Sequence, residues 1–322
     1  MGNRRGSALL AVLWLAAALS AIAFSLATTV RGETERTSTQ VDALKAYYLA
    51  AGAVERGILY VTWGPMARTP DGLSRFYSPA TPVLPVTFPT GAAQVEIIPE
   101  ASKLDVNKAP AEVLYNLLLH LGAAPDRARQ VALAIVDWRT PAGELSGFDQ
   151  FYLSRTPSFR ARHASFEEIE ELLLVEGMTP DLFYGTYERD AGGRLIPRGG
   201  LKDCLSVYGT MDRFDINTAH PALLATAGLS PEAVMAVVER RRMAPFRSYG
   251  EIAEFGHGAP GFGRLRLGGN SIFTIRGTAR INLPNGGLSE VRRTVAAVVK
   301  YMPDDSPVPY HILRWYDHAW SN

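Results

Sequence analysis

NRRGSALLAVLWLAAALSAIAF, residues 3–24, begins the run that decides how the rest of the chain is disposed. From Ser7 to Val30 no side chain carries a charge, and Ala, Leu, Val and Ile dominate. As helix the run is roughly 36 Å long at 1.5 Å per residue, enough to cross the hydrocarbon core of a bilayer. Arg4 and Arg5 precede it, whereas its far side mixes Arg31 and Arg36 with Glu33 and Glu35. The positive-inside rule then puts the N-terminus in the cytoplasm and everything after Val30 outside. Ala21-Ile22-Ala23 would serve as a signal-peptidase site. The apolar run continues past it, however, and no Gly or Pro breaks the helical pattern before Gly32, so the segment reads as an uncleaved anchor.

Working outward, Gln40 to Trp63 keeps helical spacing, with Val41, Leu44, Tyr48, Ala51, Val54 and Ile58 on one stripe. The membrane helix is therefore expected to run on as one helix from residue 7 to about 60, roughly 80 Å long. Half would lie in lipid and half against a globular domain.

The remaining chain reads as α+β. Gly64 to Gly91 is rich in Pro, Thr and Ser and is expected to be a surface connection. Ala93 to Pro99 alternates as a strand, and a helical region fills the interval from about Ala109 to Phe255. Ser271–Arg280 and Glu290–Tyr301 form a hairpin through Asn285-Gly286-Gly287, and Tyr310–Tyr316 supplies a last strand. Strands on both sides of the helical region can share one antiparallel sheet if that region is an insertion.

The helical region contains a repeat. Leu104-Asp105-Val106-Asn107-Lys108-Ala109 is echoed by Phe214-Asp215-Ile216-Asn217-Thr218-Ala219. Each Asp and Asn stands where an extended segment turns into a helix, so these side chains are expected to cap free backbone N–H groups. Gly122 and Gly228 then end each helix, and Pro125 and Pro231 open the next, which gives two helical hairpins. These resemble the helix-hairpin-helix units of DNA-binding proteins. Ala124 and Ser230, however, occupy the place of the second glycine, and Asp126 and Glu232 would repel a phosphate. Lys plus Arg number 33 against 32 Asp plus Glu, so no basic excess drives nucleic-acid binding, and none is expected. Arg240-Arg241-Arg242 reads as a solvated helix end. Phe166, Ile169, Leu172 and Leu173 read as the buried face of an acidic helix that turns Glu167, Glu168, Glu170 and Glu171 outward.

No catalytic motif appears. There is no Walker A loop, Gly-x-Ser-x-Gly, His-Glu-x-x-His or cysteine pair, and the six histidines are scattered. Cys204 stands alone and reads as a core thiol. An enzyme is not expected.

The short basic leader ending in Gly6 and followed directly by the apolar helix resembles the leader cut by prepilin peptidase. Most pilins carry Glu at the fifth mature position, which here is Ala11, and minor pseudopilin K of type II secretion systems shares that departure. The acidic run from Ser165 to Glu176, the following Gly177-Met178-Thr179-Pro180 and the later Asp215-Ile216-Asn217-Thr218-Ala219 are similar to the same family. The resemblance implies cleavage between Gly6 and Ser7 by prepilin peptidase, with methylation, and an assembly role for Ser7 and Ala11. It also implies residence in the bacterial inner membrane with the bulk of the chain periplasmic. The partners would be minor pseudopilins of the I and J types and the major pseudopilin, at the tip of a periplasmic pseudopilus that supports protein export. A minor pilin of a type IV pilus or a membrane-anchored DNA-binding protein are the alternatives. On this reading residues 1–6 are the leader, 7–30 the transmembrane helix and 31–63 the periplasmic stalk. Residues 64–105 and 266–322 then form a pilin-like α+β domain around an inserted all-α domain, 106–265. Family members also resemble each other in an acidic loop that can hold calcium. Here Arg139-Thr140-Pro141 stands where carboxylates would be wanted, and Asp137, Glu144 and Asp149 remain as ligand candidates, with capping or solvent-facing acids as the other reading. No other cofactor is expected.

Overall fold

The computed structural model describes residues 4–64, 67, 76–79, 82–142, 145–189, 192–211, 213–256, 258–269, 271–303 and 305–319, with side chains from residue 9 onward. The first element is a single helix, α1, Arg4–Trp63. Along its N-terminal half the described side chains are exposed, Leu9, Leu13, Trp14, Ile22 and Phe24 among them. The C-terminal half lies across a sheet.

That sheet is built from β1 (Val83–Phe88) and β2 (Gly91–Pro99) before the helical region and three strands after it. β1 falls in the segment expected to be a bare connection. Pro82, Pro85 and Pro89 hide it from pattern reading, and it is tolerated because β1 is an edge strand, where a missing N–H costs no ladder bond. Residues 65–66, 68–75 and 80–81 of that connection lie outside the described residues.

The face between α1 and the sheet corrects the expected stripe. Val41, Leu44 and Tyr48 point to solvent, and the buried positions are Ala43, Ala46, Ala50, Ala53, Val54, Gly57 and Ile58. The sheet already supplies the bulk, through Val95, Ile97, Ile275, Val295 and Val299, so the helix needs small residues to come close. A Cβ on Gly57 would meet Ile275 at 2.6 Å and Val95 at 2.7 Å, and one on Gly277 would meet the Ala50 carbonyl oxygen at 2.5 Å. The far end of the chain is tied to the same helix: Tyr301 Oη donates to the Ile58 carbonyl at 2.9 Å and Tyr47 Oη to Asp317 at 2.6 Å.

After β2 come β3 (Leu104–Asp105), α2 (Ala111–His120), α3 (Pro125–Arg139), α4 (Gly147–Leu153), a 3₁₀-helix (Ile169–Leu174) and α5 (Pro180–Tyr184). A small hairpin, β4 (Thr186–Arg189) and β5 (Leu195–Arg198), leads to α6 (Leu201–Cys204) and β6 (Leu205–Ser206). The second repeat holds β7 (Phe214–Asp215), α7 (Pro221–Thr226), α8 (Pro231–Met243), α9 (Tyr249–Gly256) and β8 (Leu265–Arg266). The block is therefore not all-α. β4 pairs antiparallel with β5, and the short strands β3 with β6 and β7 with β8 pair in parallel. The expected long acidic helix is also corrected to the 3₁₀-helix Ile169–Leu174.

β9 (Ile272–Asn282), β10 (Leu288–Tyr301) and β11 (Tyr310–Tyr316) complete the sheet in the order β1-β2-β9-β10-β11, antiparallel throughout. Ile98 stands opposite Thr274 and Pro99 opposite Phe273, so the chain leaves and re-enters the sheet at adjacent points. Two apolar cores result. One joins α1 to the sheet, and the other runs from Leu104 to Leu265 within the block and includes the fully buried Cys204. Burial pushes the Cys204 thiol well up from its ordinary value, which keeps it a protonated core residue.

Candidate functional site

The two repeats are the most highly determined part of the block. In each, the Asp closes an Asx turn: Asp105 Oδ1 accepts from Asn107 N–H at 2.8 Å, and Asp215 Oδ1 from Asn217 N–H at 3.3 Å. The Asn side chains are not helix caps. Pro110 stands at the N-cap of α2 with no side-chain bond, and the His220 side chain caps α7. Asn107 instead reaches across the block, donating to the Phe166 carbonyl at 3.0 Å and accepting from the Phe166 N–H at 2.7 Å. Asn217 holds Phe246 by the same two bonds, at 3.0 and 2.8 Å. A primary amide fits this because its carbonyl and NH2 face the same way as a paired strand's C=O and N–H.

A second shared device follows at the end of each long helix. Arg139 donates to the carbonyls of Val106 and Ala109. Arg241 donates to those of Ile216 and Ala219, at 3.0 and 2.7 Å. Burial pushes both guanidinium groups below their ordinary value, against the pull of Asp105 and Asp215 respectively. The Arg240–Arg242 run is thus not simply a solvated helix end: its middle member is a latch.

The acids named as calcium candidates lie beside the first repeat. Ser146 opens α4 with a reciprocal cap: its Oγ accepts from Asp149 N–H, and the Asp149 carboxylate accepts from Ser146 N–H at 2.9 Å. Ser146 Oγ also donates to Asp137 Oδ2 at 3.1 Å, so Asp137 and Asp149 do come together. Glu144 lies outside the described residues. Beside them is a histidine the sequence did not single out. His163 Nε2 is 3.0 and 3.1 Å from the two Asp149 oxygens, and its Nδ1 is 3.2 Å from the carbonyl oxygens of both Asp137 and Thr140. Burial pushes the imidazole down, but its bonds to Asp149 and to the Asp137 carbonyl outweigh that, and its pKa is raised. Burial pushes the Asp149 carboxyl up, and the Ser146 N–H and His163 outweigh it, so its pKa is lowered. Around this cluster Trp138 stacks on Phe166 and meets Tyr152 edge-on.

At the other end of the molecule, Gly6 and Ser7 lie in the first turns of α1, where only the backbone is described, and Ala11 is exposed. Gly122 and Gly228 adopt positive φ at the helix ends, as their positions required. Between the sheet's outer face and the block is a cleft of about 580 Å³ whose wall includes Glu96, Arg276, Lys202 and Arg241.

Comparison with known proteins gives a consistent picture. Residues 95–185 match the family described as type II secretion system protein K. The type II secretion system protein K of Klebsiella pneumoniae is 28% identical over 144 residues, 43% of this chain and 39% of that protein, so the match spans about two fifths of the relative's length. The fold resembles a chain in the crystal structure of the GspK-GspI-GspJ complex from the enterotoxigenic Escherichia coli Type 2 Secretion System, with a TM-score of 0.55. That likeness covers 91% of this chain and 99% of the other at 16% identity, and at such identity it is a likeness of fold.

Proposed function

We propose that the chain, similar over residues 95–185 to the type II secretion system protein K family and alike in fold to a chain of the GspK-GspI-GspJ complex, works as a minor pseudopilin at the tip of a short periplasmic filament. The observation that carries this is the first helix. Among the described residues it is the one helix long and apolar enough to cross a membrane, and the same helix, unbroken, forms one layer of the folded domain. A subunit built this way can be drawn out of a bilayer and stacked with its anchor running down the filament.

The position at the tip rests on Ala11 and on the block. In pilin-like packing a Glu at that place neutralises the N-terminal ammonium of the subunit above. Left unpaired in an apolar surrounding, such a carboxylate would cost about 3 kcal/mol. Ala11 carries no such charge, so the subunit tolerates an empty place above it, while the Ser7 ammonium still offers a partner to the subunit below. The block of residues 104–266 widens the head on the side of the sheet away from α1. The partners on this reading are minor pseudopilins of the I and J types, with the major pseudopilin below and prepilin peptidase as the processing enzyme. On this reading the chain is anchored in the inner membrane and its folded part lies in the periplasm.

Two measurements on protein extracted from its own membrane test the reading. Intact mass should show Ser7 as the first residue, and purification through this chain should bring the I- and J-type pseudopilins in stoichiometric amount. A mature start near Thr28 would mean ordinary signal-peptidase processing and a protein without an anchor.

A further inference from the structure

His163 lies where the oxygens that a cation would need converge. Four oxygen atoms, from the Asp137 carbonyl, the Thr140 carbonyl and both ends of the Asp149 carboxylate, lie within 3.0–3.2 Å of its two ring nitrogens. Carbonyls only accept hydrogen bonds, and so does a carboxylate that already accepts from Ser146 N–H. Both ring nitrogens must therefore donate, and the ring is an imidazolium. Of the other two candidates, Asp137 Oδ2 accepts from Ser146 Oγ, and Glu144 lies outside the described residues. Calcium takes six to eight oxygens at about 2.3–2.6 Å, and here the oxygens converge on a ring that is already positive. Among the described residues no cluster of three or more His, Cys, Asp or Glu is disposed to hold a metal. Among the described residues the donor set does not fit the ion that the family resemblance implies.

We propose that in this chain the His163 imidazolium stands in for a bound cation, tying Asp149 to the carbonyls of Asp137 and Thr140 so that the loop between α3 and the Asn107-held Phe166 folds without calcium. The backbone supports it. His163 has φ +48°, the one described non-glycine residue at positive φ, and such a conformation persists where its surroundings impose it. The ring also joins otherwise separate pieces, the end of α3, the start of α4 and the irregular stretch before Phe166, as a multidentate ion would.

The test uses the full-length protein in detergent micelles, stripped with EDTA. Thermal unfolding of the wild type should have the same midpoint in EDTA and in millimolar calcium chloride. His163→Gln, which keeps the bulk but cannot be an imidazolium, should melt several degrees lower. A wild-type midpoint that rises by several degrees with calcium and falls back with EDTA overturns the proposal, as does a His163→Gln variant that melts with the wild type. Should that variant fail to fold, terbium luminescence sensitised by Trp138, next to Asp137, reads the site in the wild type. No emission that calcium displaces is expected, whereas emission that calcium displaces and Asp149→Asn removes would overturn it. None of these readouts depends on filament assembly, so they are separate from the proposed function.

Discussion

Asn107 and Asn217 hold Phe166 and Phe246 by the same pair of bonds, yet 59 residues separate the partners in the first repeat and 29 in the second. Doubling a loop costs only about 0.6 kcal/mol in closure entropy, so the longer first loop is not expensive in itself. Its difficulty is polar: it brings the carbonyls of Asp137 and Thr140 and the buried carboxylate of Asp149 to one place, and each needs a donor. The first repeat meets that need with His163 and the Ser146 cap. The second has a short link from Met243 to Phe246, with a serine cap of its own where Ser248 Oγ accepts from Glu251 N–H at 3.1 Å but no histidine in the link. Its histidine, His220, works the opposite way, accepting from Ala222 N–H at 3.2 Å as a neutral ring.

The comparison breaks first at the clamps. Asn107→Ala and Asn217→Ala each remove two hydrogen bonds and strand a backbone pair beside a buried phenylalanine, and each should cost about 2–4 kcal/mol in chemical denaturation. Equal costs would show one unit used twice; a cost near zero at either site would end the equivalence. Next come the latches. Arg139→Met and Arg241→Met keep the stem that packs on the helix but lose charged donors to two carbonyls, an expected loss of about 1.5–3 kcal/mol. A double variant with the neighbouring Asn replacement should cost less than the sum, because both side chains hold the same turn.

The smallest effect is the most discriminating. The His163 pKa is raised, so its contribution is complete below the unfolded value of about 6.5 and is lost as pH rises through the folded one. Asp149, lowered, contributes above about 3.8 and loses this as pH falls through its folded value. Burial lowers His220, against Asp203 and with Arg241, so its contribution is present above about 6.5 and is lost on acidification. Melting curves from pH 7.5 down to 5.5 should therefore show His163→Gln losing more relative to wild type as pH falls, and His220→Gln losing less. Parallel curves for the two variants would mean the rings do not differ in charge.

Much of this was legible in residue order. The long apolar helix, the α+β division, the hairpin through Asn285-Gly286-Gly287 and the glycine ends at Gly122 and Gly228 follow from periodicity and turn chemistry. What was not legible is what depends on partners remote in sequence. The Asn of each repeat looks like a cap because capping is local, whereas its partners lie 59 and 29 residues on. Arg241 looks like part of a solvated charge run because nothing in Arg240-Arg241-Arg242 distinguishes its middle member. His163 carries no local signal at all. The sheet-facing stripe of α1 is not legible from large apolar residues, because the close approach to Gly277 selects small ones, Ala50 and Ala53.

The central claim is a single anchored subunit at the top of a filament, and position along the filament tests it most directly. A gold-binding tag in the exposed turn at Gly192-Gly193, between β4 and β5, marks the head without touching α1 or either repeat. Electron microscopy of purified filaments should show gold at one end only. Gold repeated at regular intervals along the shaft would contradict the account.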